Sequence, residues 1–127
     1  MSSDIVSYRD LVVWQRAMDL VDLVYTLTDS FPNRERFGLA FQMRKTAVSI
    51  PSIIAEGTRH RTPGYLSRVV IALGEHAELE TQVLIGHRRG FVSKSTMAVF
   101  AERSESVGQL AHGLARSLEA RIATAPK

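Results

Sequence analysis

Three glutamates have the clearest potential for chemistry in this sequence, because they lie in stretches whose apolar residues recur at helical spacing. Glu78 and Glu80 lie in a long periodic stretch, and Glu56 lies near the end of the preceding one. Two carboxylates can act as general acid and base when their surroundings separate their pKa values. A carboxylate on an apolar stripe otherwise needs a charged partner, because burying a bare charge is costly. Structural ion pairing is the favoured interpretation, and a catalytic pair is the alternative.

Arginines stand where such partners would be needed. If the second and third helices run antiparallel about a turn near Arg61, residues equidistant from that turn face each other. Arg44 then lies level with Glu80, and Glu56 lies level with Arg68. We predict these two structural ion pairs, Arg44 with Glu80 and Glu56 with Arg68. Their role would be to fix the helix register, because buried pairs add specificity more reliably than stability.

Six further arginines form two sets that could contact phosphate. Arg59 and Arg61 flank the turn between helices two and three, and the second set joins the start of helix two to the end of helix three: Arg34, Arg36, Arg88 and Arg89. In an antiparallel pair the second set converges at one end. The plainer interpretation is solvated charge that complements a helix dipole. We expect no exposed aromatic residue among these arginines, so any nucleic-acid binding would use phosphates and ignore base sequence.

Other kinds of site find no support in the sequence. There is no cysteine, which excludes disulfides and thiolate metal sites. No histidine follows a glutamate by three residues, as a di-iron bundle would require. Nucleophile-elbow and glycine-rich phosphate-loop motifs are also missing. We therefore predict no catalytic residue, no metal and no cofactor.

Four amphipathic stretches with short breakers between them make up most of the chain. They predict helices over about residues 11–28, 38–58, 63–89 and 94–122, with Asp10 capping the first and Gly90 ending the third. Pro51 lies inside the second and predicts a kink. Four such helices with short connections pack most simply as an antiparallel up-down-up-down bundle. We expect one all-α domain over residues 1–127.

The apolar surface of the two middle helices exceeds one stripe. The third helix has its main predicted stripe at Leu66, Val70, Leu73, Ala77, Glu80 and Leu84. Additional apolar residues widen the surface of helices two and three: Val48, Ile53, Val69, Ile71 and Ile85. Either these helices are central in the fold, or they also pack against another subunit. The sequence leaves both interpretations open.

Net charge and hydropathy indicate which partners and which cellular compartment suit the chain. The net charge is +3, and residues 33–94 carry ten basic and five acidic residues. This mildly basic middle allows a polyanionic partner. No apolar run approaches the roughly 20 residues of a membrane span, and the first ten residues lack the pattern of a secretory signal. We expect a cytoplasmic protein without membrane attachment.

Several strings together carry a family resemblance. They are Leu11 to Trp14, Phe31-Pro32 before Phe37-Gly38-Leu39, Ala47 to Gly57, Ile71 to Gly74 and Glu78 to Gln82. The combination, which covers about residues 8–120, resembles the bacterial four-helix-bundle family of the 23S rRNA intervening-sequence protein. Two positions depart from the usual pattern: Ile53 replaces an asparagine, and Glu75 replaces a small serine.

The resemblance implies an antiparallel four-helix bundle assembled into a ring, typically a homopentamer. The family also includes relatives of the accessory protein of diversity-generating retroelements, which resembles a basic barrel that binds nucleic acid. Three functional hypotheses follow. The leading one is a non-enzymatic homo-oligomer that binds RNA or DNA as an accessory. The second is a protein-interaction scaffold, and the third is a small enzyme that uses Glu56, Glu78 or Glu80.

Overall fold

Four α-helices account for most of the described chain. The computed structural model describes residues 7–126. Its helices are α1 (Val12–Thr28), α2 (Leu39–Gly57), α3 (Thr62–Arg88) and α4 (Lys94–Thr124), and short 3-10 helices occupy Tyr8–Asp10 and Asn33–Glu35. Residues 7–126 contain no β-strand, which confirms the predicted all-helical class with four helices. The predicted domain and the interpretation of the N-terminus extend over residues 1–6 and 127, which lie outside the described part.

Two helix ends show the capping that their sequence favours, and one predicted cap does not form. The Ser93 hydroxyl accepts a hydrogen bond from the Thr96 amide at 3.1 Å and caps α4. After α3, Gly90 has a φ of 82°, and the amide of Phe91 donates to the carbonyl oxygen of Gly86 at 2.8 Å. This left-handed glycine stop is a Schellman motif. The predicted cap at Asp10 is wrong, because Asp10 belongs to the preceding 3-10 helix and α1 has no side-chain cap.

All four helices contribute to one main apolar core. Each helix packs against its neighbours in the chain, and α1 also packs against α4. The core includes Val24 of α1, Met43 of α2, Leu79 of α3 and Phe100 of α4, which are almost completely buried. A second, smaller cluster joins α3 to α4 through Val69, Ala115 and Leu118. Pro51 lies buried inside α2, which continues without interruption on both sides of it.

The predicted apolar stripe of α3 is wrong by one residue. The buried residues of this helix are Val69, Ala72, His76, Leu79, Val83 and Gly86. Val70 and Leu84, which the predicted stripe included, are about half exposed, and the Glu80 side chain is 48% exposed. Because α3 has apolar residues on nearly every side, helical spacing alone did not identify the face that packs on the core.

Part of the apolar surface of α2 and α3 remains exposed. Of the five residues that widen these helices, Val69 is buried and Ile53 packs at the margin of the core. The other three, Val48, Ile71 and Ile85, are each at least 40% exposed, as is Phe41 of α2. We refer to Phe41, Val48, Ile71 and Ile85 as the apolar α2–α3 surface.

Candidate nucleic-acid interface

Two aromatic rings join the α1–α2 connection to the end of α3. Phe31 is buried, and its ring centroid lies 5.4 Å from that of Phe91. Gly86 of α3 allows this approach, because a Cβ there would lie 3.3 Å from the Phe31 ring and 3.1 Å from Val92. The connection itself is ordered by Glu35, whose carboxylate accepts a hydrogen bond from the Leu39 amide at the start of α2. Residues 31–39 and 86–92 therefore form one end of the fold.

Four of the predicted phosphate-binding arginines belong to this end. The guanidinium of Arg34 lies 5.7 Å from the centroid of the Phe91 ring, and that of Arg36 lies 5.3 Å from the Phe37 ring. Arg88 is the last residue of α3 and Arg89 follows it. With Ile85, these two side chains line an open depression of about 320 Å³. We call Arg34, Arg36, Arg88 and Arg89 the arginine end.

The arginine end forms no salt bridge among the described residues, although Glu35 lies between Arg34 and Arg36 in the sequence. Within residues 7–126, no acidic side chain lies within 4.0 Å of a guanidinium nitrogen of these four arginines. The nearby Arg44 differs, because it forms a salt bridge of 2.9 Å with Asp29. The available positive charge is therefore concentrated at the connection and at the end of α3, where a phosphate could approach from solvent.

Phe37 corrects the expectation that no exposed aromatic residue accompanies the arginines. Its side chain is 83% exposed, the highest value among the large apolar residues of the described chain. It follows Arg36 directly and stands two residues before the start of α2. The cation–π distance of 5.3 Å places the Arg36 guanidinium over the ring. An arginine and an aromatic ring therefore occur together on open surface.

The second arginine set lies at a different place in the fold. Arg59 and Arg61 lie in the turn between α2 and α3 and are exposed. The 27 residues of α3 separate them from Arg88, a helix length of about 40 Å. Glu56 lies beside this turn and is 3.5 Å from His60. The structure therefore does not bring the two sets together, and Arg59 and Arg61, like the arginine end, form no salt bridge among residues 7–126.

One of the two expected ion pairs is found and the other is not. Arg68 Nε lies 3.2 Å from Glu56 Oε1. The distance is that of a salt bridge, although the N–H of Arg68 is not aimed at the oxygen as a hydrogen bond would require. The predicted pair of Arg44 with Glu80 is wrong, because Arg44 binds Asp29 and also donates to the Thr28 hydroxyl at 2.7 Å.

Glu80 instead belongs to a polar cluster between α3 and α4. The fully buried Ser104 donates its hydroxyl to Glu80 Oε2 at 2.7 Å. His76 Nε2 lies 2.9 Å from the Ser104 carbonyl oxygen and 2.8 Å from its hydroxyl oxygen. The tautomer with the proton on Nε2 satisfies both contacts, because the carbonyl oxygen accepts and the Ser104 hydroxyl already donates to Glu80. In this arrangement the hydroxyl proton points to Glu80 and not to the imidazole, unlike that of a serine nucleophile with its histidine base.

Glu78 and Glu75 form a carboxyl pair on the outer side of α3. The hydrogen bond with Glu75 raises the pKa of Glu78, and charge repulsion from Glu75 adds to the effect, while Lys45 opposes it. When two carboxyl groups lie one helical turn apart, the negative charge of one favours the protonated form of the other, so the pKa of the second group rises. Glu78 is open to water and Glu75 is only partly buried, so the pair lacks the enclosed cleft that acid–base catalysis would need.

Comparison with known proteins identifies the family. The model of the 23S rRNA-intervening sequence protein family matches residues 9–113. The chain belongs to this family. No curated protein matches it. The description of the family names an intervening sequence of ribosomal RNA and no reaction.

Ile53 and Glu75, which depart from the pattern that the resemblance implies, have different consequences in the structure. Ile53 packs at the margin of the main core, where an apolar side chain is well accommodated. Glu75 provides the carboxyl group that raises the pKa of Glu78. Neither residue belongs to the arginine end. The two departures therefore leave the candidate interface of this family member unchanged.

The described residues contain neither a cluster of metal ligands nor a membrane-spanning helix. No three side chains of His, Asp or Glu come together within residues 7–126 as a metal site would require. In the same part of the chain, no helix combines the length and apolarity needed to cross a membrane.

Replacement of Ser104 by alanine tests the structural role of the cluster. The change removes the donor to Glu80 and a polar contact of His76 from a site without solvent access. We expect the free energy of unfolding to fall by about 1–2 kcal/mol, the usual cost of unpaired polar groups when one of them retains some access to water. Urea denaturation measures it. Ser117→Ala, at an exposed position of the same helix, should change it by less than about 0.5 kcal/mol.

Proposed function

We propose that this protein is a non-enzymatic homo-oligomer that binds RNA or DNA without sequence preference through its arginine end. The supporting observation is that Arg34, Arg36, Arg88 and Arg89 gather at one end of the fold without acidic partners among residues 7–126. Guanidinium groups bind phosphate oxygens through two parallel hydrogen bonds, and such contacts carry no base information. The protein would act as a cytoplasmic nucleic-acid accessory.

The proposal includes one antiparallel up-down-up-down bundle as the folded unit. Two close contacts between α2 and α3 support this arrangement. At one end, Gly86 of α3 lies close to Leu39 at the start of α2, and at the other, Gly57 of α2 lies close to Arg68 and Tyr65 near the start of α3. The start of α2 therefore lies beside the end of α3, and the end of α2 lies beside the start of α3, as in an antiparallel pair. In such a bundle the connection before α2 and the end of α3 are neighbours, which is why the arginines converge.

Self-association is the second component of the proposal. The apolar α2–α3 surface supports it, because two helices that pack on each other leave four large apolar side chains at least 40% exposed. Packing against further copies would cover Phe41, Val48 and Ile71, and a ring such as a pentamer would repeat the arginine end several times. Repetition converts weak phosphate contacts into strong binding through effective concentration. Light scattering after size exclusion measures the oligomer number.

The direct test is a fluorescence-anisotropy titration of nuclease-treated protein into labelled RNA and DNA. The titration is run at about 50 mM and about 150 mM salt. We expect binding that weakens steeply as salt rises, because each neutralised phosphate releases condensed counterions. RNAs of different sequence should bind alike. Absence of binding at the lower salt would refute the nucleic-acid proposal.

A protein-interaction scaffold is the second candidate function. The apolar α2–α3 surface favours it, because such a surface suits a protein partner as well as another copy of the chain. This function predicts binding that tolerates salt. The enzyme hypothesis is weaker, since Glu56 and Glu80 contact Arg68 and Ser104 respectively, and Glu78 is open to water.

A further inference from the structure

The structure assigns a base-stacking role to Phe37, and we infer that the preferred ligand is single-stranded rather than duplex nucleic acid. The inference rests on the proposed function, since it assumes that the arginine end binds phosphate. It goes further because it names the form of the ligand and a residue that distinguishes unpaired bases from a double helix.

The exposure of Phe37 is the first observation behind this inference. An aromatic ring that is 83% exposed forgoes most of the stabilisation that burial would provide. Arg36 stacks on the ring at 5.3 Å, and this leaves the rest of the ring open to solvent. Every base has a π-face that can stack on an aromatic ring, so this contact does not depend on sequence.

The neighbouring positive charges supply the second part of a single-strand site. Arg34 lies on the Phe91 ring, and Arg88 and Arg89 line the open depression at the end of α3. Proteins that bind single strands combine aromatic platforms with a basic track for the backbone. A duplex keeps its bases stacked on each other and would gain the phosphate contacts only. The structure therefore favours a strand whose bases can turn outward.

Three labelled probes of equal length test the inference with the intact protein. They are a 20-nucleotide oligothymidine, a 20-base-pair DNA duplex and an abasic 20-mer that keeps the phosphates but lacks bases. We expect oligothymidine to bind at least about fivefold more tightly than the abasic strand, the lower end of the effect of one stacked base. It should also bind more tightly than the duplex. Equal affinity for oligothymidine and the abasic strand would overturn the inference.

Variants of Phe37 separate stacking from simple apolar contact. Phe37→Ala should weaken oligothymidine binding about five- to 100-fold and leave the abasic strand unaffected. Phe37→Leu should behave like the alanine variant, because it keeps apolar bulk without a π-face, and Phe37→Tyr should bind like the wild type. The control is Val70→Ala, which truncates an exposed apolar residue in the first half of α3 and should change no affinity.

The remaining outcomes distinguish this inference from the proposed function. If no probe binds, the proposed function fails. If all three probes bind alike and Phe37→Ala changes nothing, the function stands and the stacking role is wrong. If Phe37→Ala lowers the oligomer number and weakens all three probes equally, Phe37 is a contact between copies of the chain, and the inference is likewise overturned.

Discussion

Replacing both Arg88 and Arg89 with glutamine should weaken nucleic-acid binding by about 10- to 100-fold near 0.1 M salt. Both arginines line the depression at the end of α3 without acidic partners among the described residues. Each phosphate contact contributes about −0.7 to the slope of log affinity against log salt on a single strand. The variant should therefore show a slope that is shallower by about 1.4 for each bound protomer on oligothymidine. Anisotropy titrations at four or more salt concentrations measure both quantities.

A matched control keeps the change in charge and moves it elsewhere. Arg16 and Arg103 line a groove between α1 and α4 together with Asp19 and Glu102. The double variant Arg16→Gln/Arg103→Gln has the same net charge as the test variant. Its affinity and salt slope should remain within about threefold and 0.5 of the wild type. If the two double variants lose affinity equally, net charge and not the arginine end governs binding.

The four-helix class could be predicted because apolar residues recur at regular helical spacing, as α2 shows. Met43, Ala47, Ile50 and Ile54 carry this pattern, and all are buried. In α3 the same reasoning selected the wrong face. Val69 and Val70 are adjacent apolar residues, and only contact with α4 decides that Val69 is buried while Val70 is exposed. The spacing of apolar residues identifies a helix. When a helix has two apolar faces, the spacing does not show which of them packs on the core.

The two ion-pair predictions show how errors in helix register accumulate. Glu56 and Arg68 lie within seven residues of Arg61 in the turn, where counting residues suffices to find neighbours, and they are 3.2 Å apart. Arg44 and Glu80 lie much farther from it. There the side chain of Arg44 reaches the end of α1, where Asp29 and Thr28 provide acceptors. The prediction compared positions in α2 and α3 only, so it could not include acceptors at the end of α1.

The residues of the candidate interface were only partly predictable. The arginines follow from their positions at helix ends, but the exposure of Phe37 depends on the way the connection turns before α2. The sequence alone suggests a buried phenylalanine. The cluster of His76 and Ser104 was also missed, since 28 residues separate its members. A signal existed in the position of His76 between Ala72 and Leu79 at helical spacing.

Truncation of Phe31 to alanine should both destabilise the protein and disperse the arginine end. Phe31 is buried against Phe91 and Gly86, so it holds the α1–α2 connection against the end of α3. Loss of a buried phenylalanine costs about 3–5 kcal/mol of the free energy of unfolding. We expect about 3 kcal/mol, because the ring lies at the margin of the core. Arg34, whose guanidinium lies over the Phe91 ring, should then lose its fixed position relative to the end of α3.

A comparison with Phe100→Ala separates the two effects. Phe100 is buried in the main core and belongs to α4, so its truncation should cost a similar free energy of unfolding, about 3–5 kcal/mol, without touching the arginine end. Urea denaturation measures stability, and titrations at low temperature measure binding by the folded protein. Only the Phe31 variant should bind nucleic acid more weakly. The milder Phe31→Leu keeps the test informative if the alanine variant does not fold. Weakening of the same size in the Phe100 and Phe31 variants would mean that stability alone controls the binding surface, and that the contact between Phe31 and Phe91 has no specific part in positioning the arginines.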